Sequence, residues 1–251
     1  MVHAAGTVKA LLDEAVFARG IVVTSAAQAN ATPVAEFTMA ALTMAAKDVF
    51  TRARRYHGGT FPAGGGPGLL GARVGVVGAS RIGRLVLDRL RGSGVTALLA
   101  DPYVTADQAR ELGAELTDLD TLCARSDLIT LHAPALPETH RLIDARRLSL
   151  IPDGAVLINT ARGSLVDTAA LVQQCTTGRI SALLDVTDPE PLPAGHPLFD
   201  LDNVLITPDL AGAEGRVVRR LGEFATAEID RLLRGEPLHG QIHLDHLARI
   251  A

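Results

Sequence analysis

Strand-like apolar runs alternate with helical stretches from residue 72 onward. This alternation is typical of a parallel sheet with helices on both faces, so we predict an α/β fold with a doubly wound sheet. The strands are predicted at residues 73–77, 97–100, 128–131, 155–159, 182–186 and 204–207.

The first seventy residues have a different pattern. A short strand is predicted at 21–23 and a long helix from Pro33 to about Tyr56, because proline suits a first helical turn and Glu36 follows it closely. Residues 58–71 are rich in glycine and proline and mark an internal boundary or an arm. A last helix is predicted at 214–234.

Composition narrows the choice of partners and compartment. The 251 residues are 47% hydrophobic with a net charge of -4, which leaves no basic surplus for nucleic acid. The most apolar helical stretch, 34–46, is too short to cross a membrane. Cys123 and Cys175 lack metal-site or disulfide-framework spacing, so we expect two free thiols and a cytoplasmic protein.

A strand running into a glycine turn and then a helix is the placement that a pyrophosphate-binding site needs. The turn here has serine at the usual middle glycine, which predicts a weakened but surviving site. Asp101 ends the next strand, where a carboxylate binds ribose hydroxyls and repels a 2'-phosphate, so NAD is predicted over NADP. The predicted pyrophosphate residues are Gly78, Ser80, Arg81, Ile82 and Gly83.

Three later stretches carry a family resemblance. Residues 159–167 (N-T-A-R-G-S-L-V-D), 185–193 (D-V-T-D-P-E-P-L-P) and 207–212 (T-P-D-L-A-G) together resemble the D-isomer-specific 2-hydroxyacid dehydrogenases. The resemblance implies NAD-dependent hydride transfer to or from a small 2-oxo or 2-hydroxy acid. It also implies a Rossmann domain beside a partial flavodoxin-like substrate domain, most of which would precede Ala5. The expected divisions are 1–57 (substrate-domain remnant and bridging helix), 58–212 (NAD-binding domain) and 213–251 (return helix and tail).

The resemblance also assigns roles to single residues. Arg162 matches the cation that grips the substrate carboxylate and polarises the carbonyl, and Glu190 matches the acid that holds a catalytic imidazole. The loop of Ala5, Gly6 and Thr7 is expected to bind substrate through its amides. Further cofactor contacts are implied at His132, Ala133, Pro134, Thr139, Thr160, Ala161, Arg162, Asp185, Asp209, Ala211 and Gly212.

Asp209 stands where the family carries its proton-donating histidine. An ordinary aspartate is ionised at neutral pH, but two facing carboxylates can share a proton, so Glu190 and Asp209 could supply the acid together. The alternatives are a catalytically impaired NAD-binding module and a different reaction on a similar substrate.

Other interpretations of the motifs explain fewer of these residues than the dehydrogenase resemblance does. A methyltransferase would account for the glycines and Asp101 but not for residues 159–167. His196 is expected to be a solvated loop residue. The group His239, His243, Asp245 and His246 lies in a polar tail, and no metal site is predicted there. The apolar helix from Pro33 predicts a homodimer.

Overall fold

The computed structural model describes residues 1–9, 11–56 and 66–244. Its contacts divide the chain into two compact units, one formed by Met1–Val34 with Leu210–Ala251 and the other by Ala35–Asp209. The expected boundary at residues 57 and 58 falls outside the described residues, as does most of the glycine-rich segment 58–71. The functional division at 57 and 212 therefore stays a prediction.

The larger unit is built on a seven-stranded sheet in which every pairing is parallel. The predicted doubly wound sheet is thus confirmed, with six of its strands close to their predicted places. The seventh, β5, is only two residues long. The strands are β3 (Arg73–Val77), β4 (Thr96–Ala100), β5 (Glu115–Leu116), β6 (Leu128–Leu131), β7 (Val156–Asn159), β8 (Ser181–Leu184) and β9 (Val204–Ile206), in the order β5-β4-β3-β6-β7-β8-β9.

Both faces of this sheet are buried. Neighbouring residues of one strand, such as Leu157 and Ile158, belong to two different apolar clusters because successive side chains point to opposite faces. An oxygen-bearing side chain caps each of the helices between the strands, at Ser80, Thr105, Asp118, Asp144 and Asp167. These helices are α4 (Arg81–Leu90), α5 (Ala106–Glu111), α6 (Leu119–Arg125), α7 (Ala145–Leu150) and α8 (Thr168–Thr176).

The long helix differs from its prediction at both ends. Helix α2 (Ala27–Ala46) begins well before Pro33, which lies inside it rather than in its first turn. An internal proline forfeits its own backbone hydrogen bond, but the alanine-rich sequence around it supports the helix. Asp48 then adopts a left-handed conformation, with φ 53°, and a separate helix α3 (Val49–Arg55) follows.

The smaller unit holds a three-stranded sheet of β1 (Val2–His3), β2 (Val23–Ser25) and β10 (Gln241–Ile242). Strand β2 pairs parallel with β1 and antiparallel with β10, and it lies two residues later than predicted. Helix α1 (Glu14–Ala18) precedes it. The final helix, α9 (Val218–Arg234), begins four residues later than predicted, because a 3₁₀ turn occupies Gly215–Val217.

The structure bears on two predictions made from composition. Cys123 and Cys175 are both buried and free, as predicted. Within the described residues, no helix is both long and apolar enough to cross a membrane.

Candidate active site

Two glycines shape the turn between β3 and α4. Gly78 has φ 95°, and a Cβ atom there would lie 2.8 Å from the backbone nitrogen of Ala133. A Cβ atom on Gly83 would overlap the carbonyl oxygen of Gly78. Both positions need glycine, since β3, the turn and the loop after β6 pack backbone against backbone.

Ser80 adopts a backbone conformation in this turn that does not require glycine. Its φ is -62°, and its Oγ accepts the Gly83 N–H at 3.3 Å as the N-cap of α4. The first-turn amides of Arg81 and Ile82 have no acceptor inside the helix. The helix dipole favours an anion beside them, so the turn fits a dinucleotide pyrophosphate.

Asp101 fastens the end of β4 to the same turn. Its Oδ2 accepts the Ala79 N–H at 2.7 Å, and its Oδ1 accepts the Tyr103 N–H at 2.8 Å. These bonds fix the carboxylate, while each oxygen keeps a second lone pair that can accept a hydroxyl. Its placement fits the ribose-binding role expected for NAD.

The loop after β6 packs behind the turn. His132 is buried, which lowers the pKa of its imidazole to about 3, and its Nε2 lies 2.9 Å from the Thr130 hydroxyl. Among the described residues, its Nδ1 has no hydrogen-bond partner. The Thr139 hydroxyl donates to the carbonyl of Pro134 at 2.6 Å and accepts the Leu136 N–H at 2.8 Å. The His132 imidazole is therefore neutral. The hydrogen bonds of Thr139 stabilise the loop internally.

Arg162 follows the carboxyl end of β7, at the sheet edge where ligands bind in such folds. The buried Asn159 side chain accepts the Ala161 N–H at 3.1 Å and donates to the Arg162 carbonyl at 2.8 Å. The hydroxyls of Thr160 and Thr38 lie 3.0 Å apart, both buried. The exposed Arg162 guanidinium donates one N–H to the Ala161 carbonyl at 2.6 Å. Its remaining donors give it the fork that binds a carboxylate.

A close backbone approach brings the Glu190 loop to Arg162. A Cβ atom on Gly163 would overlap the carbonyl oxygen of Thr187, so glycine is needed at this crossing. The Thr187 hydroxyl donates to the Pro189 carbonyl at 2.9 Å and shapes the loop beyond it. The arginine and the glutamate thus come from adjoining turns.

The charges of two carboxylates, Asp185 and Asp209, and of the Arg162 guanidinium act on Glu190. Asp185 is buried and accepts the Thr207 hydroxyl at 2.6 Å, and its carbonyl accepts the Asp209 N–H at 2.8 Å. Glu190 is exposed, but desolvation by the atoms around it raises the pKa of its carboxyl above the ordinary value, and the charges of Asp209 and Asp185 add to this. A backbone hydrogen bond and the Arg162 charge lower that pKa but do not cancel the rise. The structure therefore brings together the residues predicted for chemistry.

The predicted substrate loop lies in the smaller unit, near Asn30. The Asn30 Oδ1 accepts the Ala213 N–H at 2.9 Å. Cβ atoms built on Gly6 and Gly212 would each lie 3.6 Å from the Asn30 amide group. The predicted substrate residue Gly6 and cofactor residue Gly212 thus flank one asparagine. In the same loop, the Thr7 hydroxyl accepts the Lys9 N–H.

The remaining histidines have other surroundings. The Nδ1 of His196 accepts the Leu198 N–H at 3.4 Å and caps a short 3₁₀ turn. Asp245 and His246 lie outside the described residues. In the part of the chain that the structure describes, no group of three metal-ligating side chains occurs. The prediction of no metal site therefore stays a prediction.

Four residues that brace the site had no predicted role. Asn159 could have been found, because a buried amide ending an apolar strand is unusual. Thr38 and Asn30 lie on α2, far in sequence from the groups that they contact. Arg84 resembles any exposed helical arginine, yet its Nε donates to the Ala79 carbonyl at 2.9 Å.

Comparison with known proteins gives a consistent picture. A family model described as D-isomer specific 2-hydroxyacid dehydrogenase, NAD binding domain, matches residues 39–211. The D-3-phosphoglycerate dehydrogenase of Methanocaldococcus jannaschii is 34% identical over 238 residues, covering 93% of this chain and 45% of the relative. A crystal structure of the TT0316 protein from Thermus thermophilus has a TM-score of 0.80 at 35% identity, covering 96% of this chain and 78% of the other.

A second kind of relative matches a shorter stretch. The glyoxylate reductase of Thermofilum pendens is 42% identical over 173 residues, covering 68% of this chain and 51% of that protein. The chain spans about half the length of these two curated relatives. The family model covers Arg162, Glu190 and Asp209, and this chain covers only part of either relative.

Proposed function

Because the chain belongs to the D-isomer-specific 2-hydroxyacid dehydrogenase family, we propose that it is an NAD-dependent oxidoreductase acting on a small 2-oxo or 2-hydroxy acid. The observation that carries the proposal is the crossing of Gly163 with Thr187. It sets the Arg162 turn against the Glu190 loop at the carboxyl edge of the sheet. A carboxylate-binding cation and an acid with a raised pKa then lie beside one another.

The glycine turn and Asp101 supply the proposed cofactor site. The amides of Arg81 and Ile82 would hold the pyrophosphate, and the Asp101 carboxylate would accept the ribose hydroxyls. NAD, when bound, supplies or takes up the hydride. The family domain to which these residues belong is an NAD-binding domain, which supports NAD as the cofactor.

Arg162 is proposed to orient the substrate. Its guanidinium carries several donors in one plane, and one of them is held by the Ala161 carbonyl. The others can grip a substrate carboxylate and polarise the adjacent carbonyl oxygen. The Asn159 amide bonds to the Ala161 N–H and the Arg162 carbonyl and so holds the backbone from which this side chain projects.

Glu190 and Asp209 are proposed to move the proton together. Hydride addition to the carbonyl carbon leaves negative charge on the oxygen, which must receive a proton. The Asp209 charge helps to raise the pKa of Glu190, and the two carboxylates are proposed to share one proton. That proton passes to the substrate oxygen in reduction, and the carboxylate pair takes it back in oxidation.

The substrate loop and the assembly belong to the same proposal. The amides of Ala5, Gly6 and Thr7 are proposed to meet the substrate carboxylate. A homodimer is proposed from the apolar character of α2, and a cytoplasmic location from the two buried, free cysteines. Small 2-oxo acids, rather than nucleic acid or membrane, are the proposed partners.

The direct test follows NADH oxidation over a panel of 2-oxo acids. The wild-type chain should oxidise NADH with at least one of them, and Arg162→Ala should lose turnover or keto-acid binding while keeping NADH affinity. Arg146→Ala is the matched control, because this arginine is exposed and ion-paired with Asp120. Full activity in Arg162→Ala would refute the proposed role.

A further inference from the structure

Two charged side chains hold the peptide groups on either side of Ala79. The Ala79 N–H donates to Asp101 Oδ2 at 2.7 Å, and the Ala79 carbonyl accepts Arg84 Nε at 2.9 Å. Asp101 comes from the neighbouring strand β4, and Arg84 from the first turns of α4. The centre of the glycine turn is therefore fixed from both sides by side chains rather than by backbone.

The other acceptors of the turn are engaged by the backbone or packed against it. The Gly78 carbonyl lies against Gly83, and the Ser80 carbonyl accepts the Arg84 N–H at 2.9 Å. The Ala79 carbonyl differs, because it accepts its hydrogen bond from a side chain. Removing that side chain would release a carbonyl dipole next to the first-turn amides of α4.

Such a release matters because a pyrophosphate is an anion. It binds where N–H groups converge and is repelled by a carbonyl oxygen that competes for the same space. Ser80 already brings an extra side-chain oxygen to this turn, where the usual motif has glycine. Holding the Ala79 carbonyl away from the bound phosphates therefore matters more for anion binding here than in a turn with three glycines.

We propose that Arg84 is a positioning residue of the pyrophosphate site: it holds the Ala79 carbonyl so that the turn presents N–H donors to a bound dinucleotide. The inference deepens the proposed function, since it rests on NAD binding by this turn. It does not depend on turnover. Arg84 touches the turn and is not proposed to contact the hydride or the substrate.

The test measures binding of NADH by fluorescence titration, with ADP-ribose and adenosine as competitors. Arg84→Met removes the donor, whereas Arg84→Gln places an amide nitrogen at the same bond distance along the side chain as the arginine Nε. Arg89→Met is the matched control, because Arg89 lies on the same helix and donates to a carbonyl of that helix, that of Leu85, at 3.2 Å.

We expect Arg84→Met to weaken NADH and ADP-ribose by about tenfold each, a change typical of one lost charge-assisted contact. Adenosine has no phosphate and should keep its affinity. Arg84→Gln should recover most of the loss, and Arg89→Met should bind all three ligands like the wild type. Thermal unfolding of each variant shows whether it is folded. If Arg84→Met is unfolded, the affinities of Arg84→Gln are compared with those of Arg89→Met instead.

Three results would overturn the inference. The first is equal weakening of adenosine, which would mean a general disturbance of the domain. The second is an Arg84→Gln variant as weak as Arg84→Met, which would make charge, not the hydrogen bond, responsible. The third is a wild type that does not bind NADH. A wild type that binds NADH without turnover would contradict the proposed function and leave the Arg84 comparison intact.

Discussion

Asp209 occupies a backbone conformation that few residue types adopt readily. Its φ of 52° lies in the left-handed region, where asparagine, aspartate and histidine are enriched among residues other than glycine. Its N–H is held by the Asp185 carbonyl at 2.8 Å. The family histidine and the aspartate found here therefore suit the same backbone, and the exchange changes chemistry more than fold.

The proposed mechanism gives Glu190 a different task beside Asp209. Beside a histidine, a carboxylate would support an imidazolium, but beside Asp209 it has a like charge for a neighbour. Desolvation by the surrounding atoms and the neighbouring charges raise the pKa of Glu190. The carboxyl group consequently keeps its proton to a higher pH than an ordinary glutamate, which is the property that a proton donor needs.

Cofactor preference should follow Asp101. We expect NADH to bind at least about tenfold tighter than NADPH, a difference of about 1.4 kcal/mol, because the carboxylate repels the 2'-phosphate. Asp101→Asn keeps an acceptor for the Ala79 N–H and removes the charge, so the preference should shrink. Dissociation constants for both cofactors check this, with the exposed Asp107→Asn as control. Equal constants in the wild type would remove the assignment.

At the scale of elements, the strands of the larger sheet could be predicted because both of its faces are buried. Such strands appear in the sequence as unbroken apolar runs. Strand β5 has two residues and no such run, and β10 pairs with β2 across most of the chain, so neither was predictable from local pattern. The preference of proline for a first helical turn predicts a helix start at Pro33, but the residues on both sides of Pro33 are helical.

The sequence predicts the motif residues of the site better than the residues that support them. Arg162, Glu190 and Asp209 stand in stretches whose residue pattern is specific, so their proximity could be expected before the fold was known. Apart from Asn159, the residues that hold them could not be found this way. The Thr38 hydroxyl meets Thr160 only because α2 packs on the sheet, and Gly163 meets Thr187 only because two loops cross.

That crossing gives a prediction for Gly163→Ala. The added Cβ would overlap the Thr187 carbonyl oxygen, so the loops that carry Arg162 and Glu190 must separate. Misplacement of catalytic groups by about 1 Å can cost on the order of a hundredfold in rate, and we expect a loss of that size. Steady-state kinetics with NADH and a 2-oxo acid measure it.

Gly222→Ala is the control for this substitution. Gly222 lies in helix α9, and a Cβ atom there meets nothing within 4 Å. Alanine should leave activity unchanged and stabilise the helix by about 0.5–1 kcal/mol. A fully active Gly163→Ala variant would show that the crossing does not set the geometry of the site.

In the whole molecule, the smaller unit holds the segment before β10 against helix α9 through Glu228. This buried carboxylate accepts the N–H groups of His239 at 3.1 Å and Gly240 at 2.9 Å, and it pairs with Arg231 at 2.7 Å. Burial alone would raise the pKa of Glu228, but the three donors together lower it. Its stabilising effect is therefore present above the pKa of the unfolded chain and disappears as the pH falls through the folded value.

Glu228→Gln should destabilise the protein by about 2 kcal/mol or more, because a neutral amide cannot satisfy both backbone donors and the arginine. Urea unfolding at neutral pH measures the loss, and the difference between variant and wild type should shrink in acid. Glu223→Gln, an exposed partner of Arg219 on the same helix, should change stability by less than about 0.5 kcal/mol. Equal stability of wild type and Glu228→Gln would contradict the role.

The proposed homodimer is a second prediction at this scale. Helix α2 is long and apolar, and three large apolar side chains are exposed in the single chain: Met44 on α2, Val49 on α3 and Tyr56 directly after α3. Two-fold pairing is the commonest way to cover such a surface. Light scattering at micromolar concentration should report twice the mass of the chain, and a monomer would contradict the proposal.

Proton donation by Glu190 and Asp209 can be tested through the pH dependence of NADH oxidation with a 2-oxo acid, compared between wild type and Asp209→His. The wild-type rate should be greatest in acid and fall as the carboxyl pair loses its proton. Asp209→His should move that fall toward the imidazole pKa of about 6.5 or above, and so raise the rate at neutral pH. A wild type that binds NADH but turns over no 2-oxo acid at any pH, or an unchanged pH profile in the variant, would contradict the account.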